Sequence, residues 1–359
     1  MRTTLAALLC CSPLVVGAQN QSSVNVYGVV DAAVVKEGGC DGDARCASYV
    51  SGGAATASRL GVKGREALGD NLAAVFTLEA GIRSDSGASD QNNRLFGRQA
   101  FVGLDGRFGA LTLGRQYNLQ YLTLTEVADP FQGGMAGNAA NLVGYTVKRY
   151  DNTLKYSTPS LRGVTASAIY SVGESPFSNR YNRAYGATIG YANGPFTVSI
   201  SHQRKNNPIE AAATVPPPDL SARNSLIAAN VALGFGTVYA AYGHNKGEGS
   251  SPWDTSNPYG ALAMTTPSTD SRDVLFGLSV PFGSTSLLAS VIHKDDRSLL
   301  DRNARQLAVG LNHALSKRTA VYASFARIIN QNGARYTVGN ATEAGHGDRA
   351  LTVGVRHAF

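Results

Sequence analysis

Arg59, Lys63 and Arg65 stand at even separations in the run Ser58-Arg59-Leu60-Gly61-Val62-Lys63-Gly64-Arg65, with apolar Leu60 and Val62 on the intervening parity. In an extended chain every second side chain shares a surface, so this run predicts a strand with cations on one face and an oily opposite face. Arg149 and Lys155 repeat the arrangement in Arg149-Tyr150-Asp151-Asn152-Thr153-Leu154-Lys155-Tyr156, where the rings and the leucine take the other parity. The chemistry open to such groups is electrostatic: fixed cations around a water-filled passage favour anions over cations. Covalent chemistry lacks its parts. His202, His244, His293, His313, His346 and His357 are scattered, and neither Gly-x-Ser-x-Gly nor His-Glu-x-x-His occurs. The glycines from Gly61 to Gly69 lack the Lys-Ser/Thr of a phosphate loop. No catalytic residue, metal or cofactor is therefore expected.

A second feature is the segment from Gln116 to Lys148, which carries Glu126, Asp129, Pro130, Gly133, Gly134 and Gly137 and has no strand pattern in its centre. Folded into a barrel lumen, it would narrow the opening and set carboxylates against the basic side chains, giving a transverse field. Arg98 and Arg115 join the candidate constriction, although apolar residues two positions away share their parity. A bulge or a subunit interface accounts for either.

The elements that must position these residues form a series. From Val24 onward, segments of about 8–12 residues alternate apolar and polar side chains, separated by Gly-, Asn-, Asp-, Ser- or Pro-rich connections, which is the pattern of transmembrane β-strands. Leu72, Ala74, Phe76, Leu78 and Ala80 form one oily face, and Phe196, Val198 and Ile200 another. About sixteen such segments fit the chain, near the spacing a sixteen-stranded barrel needs. A soluble sandwich would set large residues on its inner face, whereas here one face is crowded with Gly, Ser, Thr, Ala, Arg and Gln. Aromatics such as Tyr27, Tyr156, Tyr170, Tyr185, Tyr191 and Tyr242 fall near segment ends, as membrane-interface girdles require. Tight-turn sequences at 67–71, 104–109, 191–195, 233–236 and 281–283 alternate with long polar stretches at 36–51, 116–148, 204–222, 245–272 and 330–348. Pro216, Pro217 and Pro218 sit in one of these stretches, outside any predicted strand, and Trp253 in another. The predicted fold class is all-β, a sixteen-stranded antiparallel transmembrane barrel whose long third loop folds into the lumen.

Export is written at the start. Arg2 precedes an apolar run from Leu5 to Val16, and Val16-Gly17-Ala18 offers small residues for cleavage after Ala18. The run is shorter than the ~20 residues a spanning helix needs. A lipoprotein through Cys10 or Cys11 would leave too short an apolar core. Residues 1–18 are thus expected to be a signal peptide and 19–359 the barrel. In an oxidising compartment Cys40 and Cys46 make a candidate disulfide, with two free thiols as the alternative. The formal charge of +7 and pI near 9.2 come from singly scattered Lys and Arg, with no basic run or helix, which excludes a nucleic-acid partner.

Several runs together resemble the trimeric outer-membrane general porins of β-proteobacteria. They are Val24-Asn25-Val26-Tyr27-Gly28-Val29-Val30-Asp31, the Ser58 to Gly64 strand, Arg98-Gln99-Ala100-Phe101-Val102-Gly103-Leu104, Leu113-Gly114-Arg115-Gln116, Arg149-Tyr150-Asp151-Asn152 and the ending Gly354-Val355-Arg356-His357-Ala358-Phe359. The resemblance implies a sixteen-stranded homotrimeric barrel in the outer membrane, surrounded by lipid and lipopolysaccharide. It implies passive passage of small hydrophilic solutes, with anions preferred through an arginine cluster to which Arg59 and Arg149 correspond, Arg98 and Arg115 following. Phe359 corresponds to the terminal aromatic that the barrel-assembly machinery reads. A solute-specific channel on the same barrel is the alternative function.

Overall fold

The computed structural model describes residues 22–40, 46, 48–174, 180–206, 221–251 and 268–359. The expected signal peptide, Pro216 to Pro218 and Trp253 lie outside them. One antiparallel sheet contains β1 (Ser23–Cys40), β2 (Ser48–Ser51), β3 (Arg59–Gly69), β4 (Leu72–Gly81), β5 (Gln99–Gly106), β6 (Gly109–Tyr117), β7 (Arg149–Ser157), β8 (Val164–Ser171) and β9 (Ala184–Asn193). It continues through β10 (Phe196–Asn206), β11 (Ser221–Leu233), β12 (Gly236–Lys246), β13 (Asp270–Phe282), β14 (Thr285–Asp296), β15 (Ala304–Ala314), β16 (Thr319–Asn330) and β17 (Gly347–Ala358). Each strand from β3 pairs with the next in sequence, and β1 closes the ring. Its residues from Val29 to Cys40 pair with β17, and those from Ser23 to Val29 pair with β3. The short β2 pairs with Ala33 to Lys36, beyond the start of β3. Sixteen strands therefore close the cylinder and β2 is a flap on it. The sequence pattern left residues 36–51 as loop, because four residues carry too little alternation to register as a strand.

Closure matters because hydrocarbon offers no hydrogen bonds, so only a sheet without edges can span it. The two faces meet different solvents. On β15, Leu307, Val309 and Leu311 are exposed while Gln306, Ala308 and Gly310 are buried. Ile189, Ile200, Val102 and Phe276 are more than half exposed on the same outer surface. Large apolar side chains left bare around a whole molecule make sense only where the surrounding medium is apolar.

The tight connections fall where turn chemistry predicts. Asp70 and Asn71 join β3 to β4 with φ of 48° and 60°, the paired left-handed geometry of a type I′ hairpin. The ends of β10, β12 and β16 and the starts of β11, β13 and β17 fall within two residues of the long polar stretches' predicted limits.

Residues between β6 and β7 form a short helix at Leu119–Leu122, a π-helical turn at Thr123–Ala128 and a 3₁₀ turn at Ala139–Asn141. Leu124, Phe131, Leu142, Val143 and Tyr145 pack with Leu226, Leu275, Ile292 and Ile328, wall residues of the inward parity. Polar bonds follow the same face: Ala136 N–H donates to Ser324 Oγ, Gly144 N–H to Asp273 Oδ2, and Asn141 Nδ2 to Gln306 Oε1. Glycines receive the tip of the segment. A Cβ on Gly310 would stand 2.8 Å from the Phe131 ring, and one on Gly277 2.8 Å from the Pro130 ring.

Candidate functional site

Register builds the site. Arg59 on β3 pairs with Gly81 on β4, so Glu79 is its diagonal neighbour across a position with no side chain. Arg59 Nε and Glu79 Oε2 are 3.5 Å apart. Arg98 reaches the same carboxylate from the residue before β5, donating Nε–H to Glu79 Oε1 at 2.7 Å. Tyr27 Oη donates to Glu79 Oε2 at 2.9 Å. On the other side, Tyr117 is the direct cross-strand partner of Arg149. Tyr117 Oη accepts from Arg98 Nη2 at 2.7 Å and from Arg149 Nη2 at 2.6 Å, and the Arg149 guanidinium lies 4.3 Å from the Tyr117 ring centre. Three guanidinium groups thus share one carboxylate and one phenol. The local balance is one negative against three positive charges, a net +2 on the wall.

The cluster faces a cavity of about 1970 Å³. Arg115, Lys148, Lys155 and Arg356 also line it, as do Asp151 and Glu126. The β6–β7 register shifts between Gly114 and Gln116, which leaves Arg115 at a bulge. Its side chain donates to Gly97 O and Asp151 Oδ1, and Arg94 donates to the same carboxylate at 2.8 Å. Asp151 thus offsets one of the two positive charges that Arg94 and Arg115 bring to it. Lys148 donates to Ala341 O at 3.2 Å and lies 5.8 Å from the Tyr121 ring, which stacks on Tyr117. Burial, reinforced by the neighbouring Arg149 cation, pushes the Lys148 ammonium down to about 7. Glu126 projects into the cavity with Lys155 as its electrostatic partner.

Two expected constriction residues are placed elsewhere. Asp129 is 1% exposed and does not line the cavity. Its carboxylate accepts N–H bonds from Phe131, Gly133 and Ala139, so it shapes the turn that seats Phe131. Burial raises that carboxyl to about 6 against the pull of the three donors. Lys63 points inward but lies against the Tyr27 ring at 5.3 Å, off the cavity wall and beside the Arg65–Asp105 ion pair. Sequence reasoning missed Glu79, Tyr117, Lys148 and Arg356 as members of the site. For Glu79 the signal was present, a lone carboxylate on the inward parity of β4. For Tyr117 it depends on the bulge, which alternation does not reveal. Cys40 and Cys46 are joined in a disulfide, their Cα atoms 5.5 Å apart. Phe359 closes the barrel: it exchanges backbone hydrogen bonds with Gly28 at 3.1 Å, and its ring occupies the space a Cβ there would need.

Comparison with known proteins agrees with this architecture. The family model described as Gram-negative porin matches residues 4–334. An outer membrane porin protein of Bordetella pertussis is 29% identical, with the whole of both chains covered. Outer membrane porin protein 32 of Delftia acidovorans is 30% identical over 95% of each chain. Among solved structures, the anion-selective porin from Comamonas acidovorans superposes with a TM-score of 0.75 at 25% identity, covering 94% of this chain and all of that one. A match over most of its length, together with a closed sixteen-stranded barrel, means that this chain belongs to the Gram-negative porin family and resides in the outer membrane.

Proposed function

We propose that the chain forms a passive, water-filled channel for small hydrophilic solutes and ions, in which anions pass more readily than cations. One observation carries the reading: Arg59 and Arg98 share the carboxylate of Glu79 while Arg149 joins Arg98 through the Tyr117 phenol, leaving a surplus of positive charge beside the cavity. Fixed charge of one sign in a narrow polar passage sets selectivity. The β6–β7 segment narrows the passage, with Glu126 facing the basic wall. Arg115, Lys155 and Arg356 extend the positive surface, with Asp151 offsetting one charge of the Arg94–Arg115 pair. Nothing in this mechanism makes or breaks a bond.

The functional unit is a homotrimer in this reading. Support comes from the outward face of β3 to β5, where Leu60, Val62, Phe76, Val102 and Leu104 offer a smooth apolar surface with no basic side chain. Phe359 at the barrel seam is the element the assembly machinery reads, and residues 1–18 are removed on export. The test is the reversal potential of the refolded chain in a planar bilayer under a potassium chloride gradient. A potential of the sign set by chloride supports the proposal, and one set by potassium refutes it.

A further inference from the structure

We propose that Asp31, a buried carboxylate off the cavity wall, is a positioning residue of the basic cluster. It fixes the backbone of residues 54–57, from which Arg59 is held and against which the tip of the β6–β7 segment closes. This rests on the channel reading and adds what sets the geometry of the cluster. The ladder explains where Asp31 stands. β1 pairs with β3 as far as Val29 and Arg59, and with β2 from Ala33 and Ser51 onward. Between those two pairs, residues 52–58 have only residues 30–32 to oppose, so the excess chain leaves the sheet. It folds inward, where Ala54 is fully buried and Ala55, Thr56 and Ala57 line the cavity.

An ionised carboxylate out of water needs donors on its oxygens, and the inward fold supplies them. Asp31 Oδ1 accepts from Ala54 N–H at 3.0 Å and from the Tyr322 hydroxyl at 2.6 Å, and Oδ2 accepts from Thr56 N–H at 3.2 Å. Ala55 N–H donates to Tyr322 Oη at 3.2 Å, so three consecutive N–H groups end on one pair of carboxylate and phenol. Ser58 Oγ accepts from Asp31 N–H and donates to Asp31 O, which fixes the far end of the fold. With those N–H groups spent on the wall, the carbonyls serve the lumen side. Ala57 O accepts from Arg59 Nη1 at 3.3 Å. Ala54 O accepts from Met135 N–H at 2.7 Å and from Ala341 N–H at 3.1 Å, and Ala341 O in turn accepts from Lys148 Nζ. Gly134 lies against Ala55 O, with no room for a Cβ. Two cations of the cavity and the tip of the narrowing segment therefore hang on a frame that Asp31 orients. The hold on Arg59 matters because the Arg98 cation repels it while both draw on Glu79.

The test records the full chain, refolded into planar bilayers, as Asp31→Asn and as Tyr322→Phe. Tyr322→Phe changes no charge, whereas Asp31→Asn makes the barrel one charge more positive. Were Asp31 only a charge, its loss would raise anion preference. As a positioning residue, its loss frees Arg59 and the segment tip. Both variants are therefore expected to raise open-channel noise and to lower the anion-to-cation permeability ratio by roughly twofold, against a ceiling of about tenfold for one whole charge removed. A rise of the ratio in Asp31→Asn, or unchanged ratio and noise in Tyr322→Phe, overturns the proposal. Thiol labelling read by mass spectrometry decides the matter even where Asp31→Asn fails to fold. Thr56→Cys is expected to react with a bulky water-soluble reagent several-fold faster when joined to Tyr322→Phe, and equal rates overturn the proposal as well. A wild-type chain without conductance rejects the channel instead, whereas a conducting wild type with variants indistinguishable from it rejects only the role of Asp31.

Discussion

Replacing Glu79 by Gln removes the one carboxylate of the three-arginine cluster, which Arg59 and Arg98 contact directly, while keeping an acceptor oxygen for Arg98 Nε. The wall then carries three positive charges in place of a net two. For an ion passing ~6 Å away through water, one unit of charge is worth roughly 0.7 kcal/mol. That enriches a monovalent anion about threefold and depletes a cation by a similar factor, so the permeability ratio is expected to rise by roughly tenfold at low salt and less as screening grows. The change also leaves the Arg98 guanidinium, 7% exposed, without its countercharge. Removing one partner of a buried pair costs about 3–5 kcal/mol, and the low end applies here because Tyr117 and cavity water remain. Reversal potentials in dilute potassium chloride and the heat needed to unfold the barrel on a detergent gel measure the two effects. An unchanged or more cation-favouring channel in Glu79→Gln would show that the cluster does not set the field.

Three further outcomes are expected. Lys148, held at about 7, gains its charge as pH falls from 8 to 6, so anion preference should rise over that window and stay flat in Lys148→Met. Because its folded value lies below the ordinary 10.5, the linked stability is present at high pH and lost as pH falls through 7. Gly310→Val puts carbon where the Phe131 ring lies and should displace the segment tip, raising single-channel conductance and open-channel noise. Asp129→Ala strands three N–H donors in a buried turn, at about 1–3 kcal/mol each if no water reaches them, and should give frequent closures at constant mean selectivity in long bilayer recordings.

What the sequence revealed divides along physical lines. Alternation is local, so Leu60 and Val62 facing out with Arg59 and Arg149 facing in were legible from parity alone, as were the turns at Asp70-Asn71 and Gly234-Phe235. The meeting of Arg59 with Glu79 was not, because it depends on a register in which Gly81 stands opposite Arg59. Tyr117 and Arg115 depend on a bulge, which adds one residue and reverses parity beyond it. The ambiguous parity of Arg115 was itself the trace of that bulge. Asp129 looked like a pore charge because a carboxylate in a Gly-rich segment carries no mark of whether solvent or backbone N–H groups will surround it. The short-turn ends were fixed by local chemistry, whereas the inward packing of Phe131 on Gly310 joins residues 179 positions apart, a contact no local pattern encodes.

The account turns on neighbouring residues of one strand meeting different solvents, with the inner one positively charged. Leu154→Cys and Lys155→Cys on β7, treated in a bilayer with anionic and cationic water-soluble thiol reagents, test both parts together. The account predicts that only the cysteine at 155 reacts and alters the current, and that the anionic reagent does so faster. Reaction at 154 as fast as at 155, or faster modification by the cation, would contradict it.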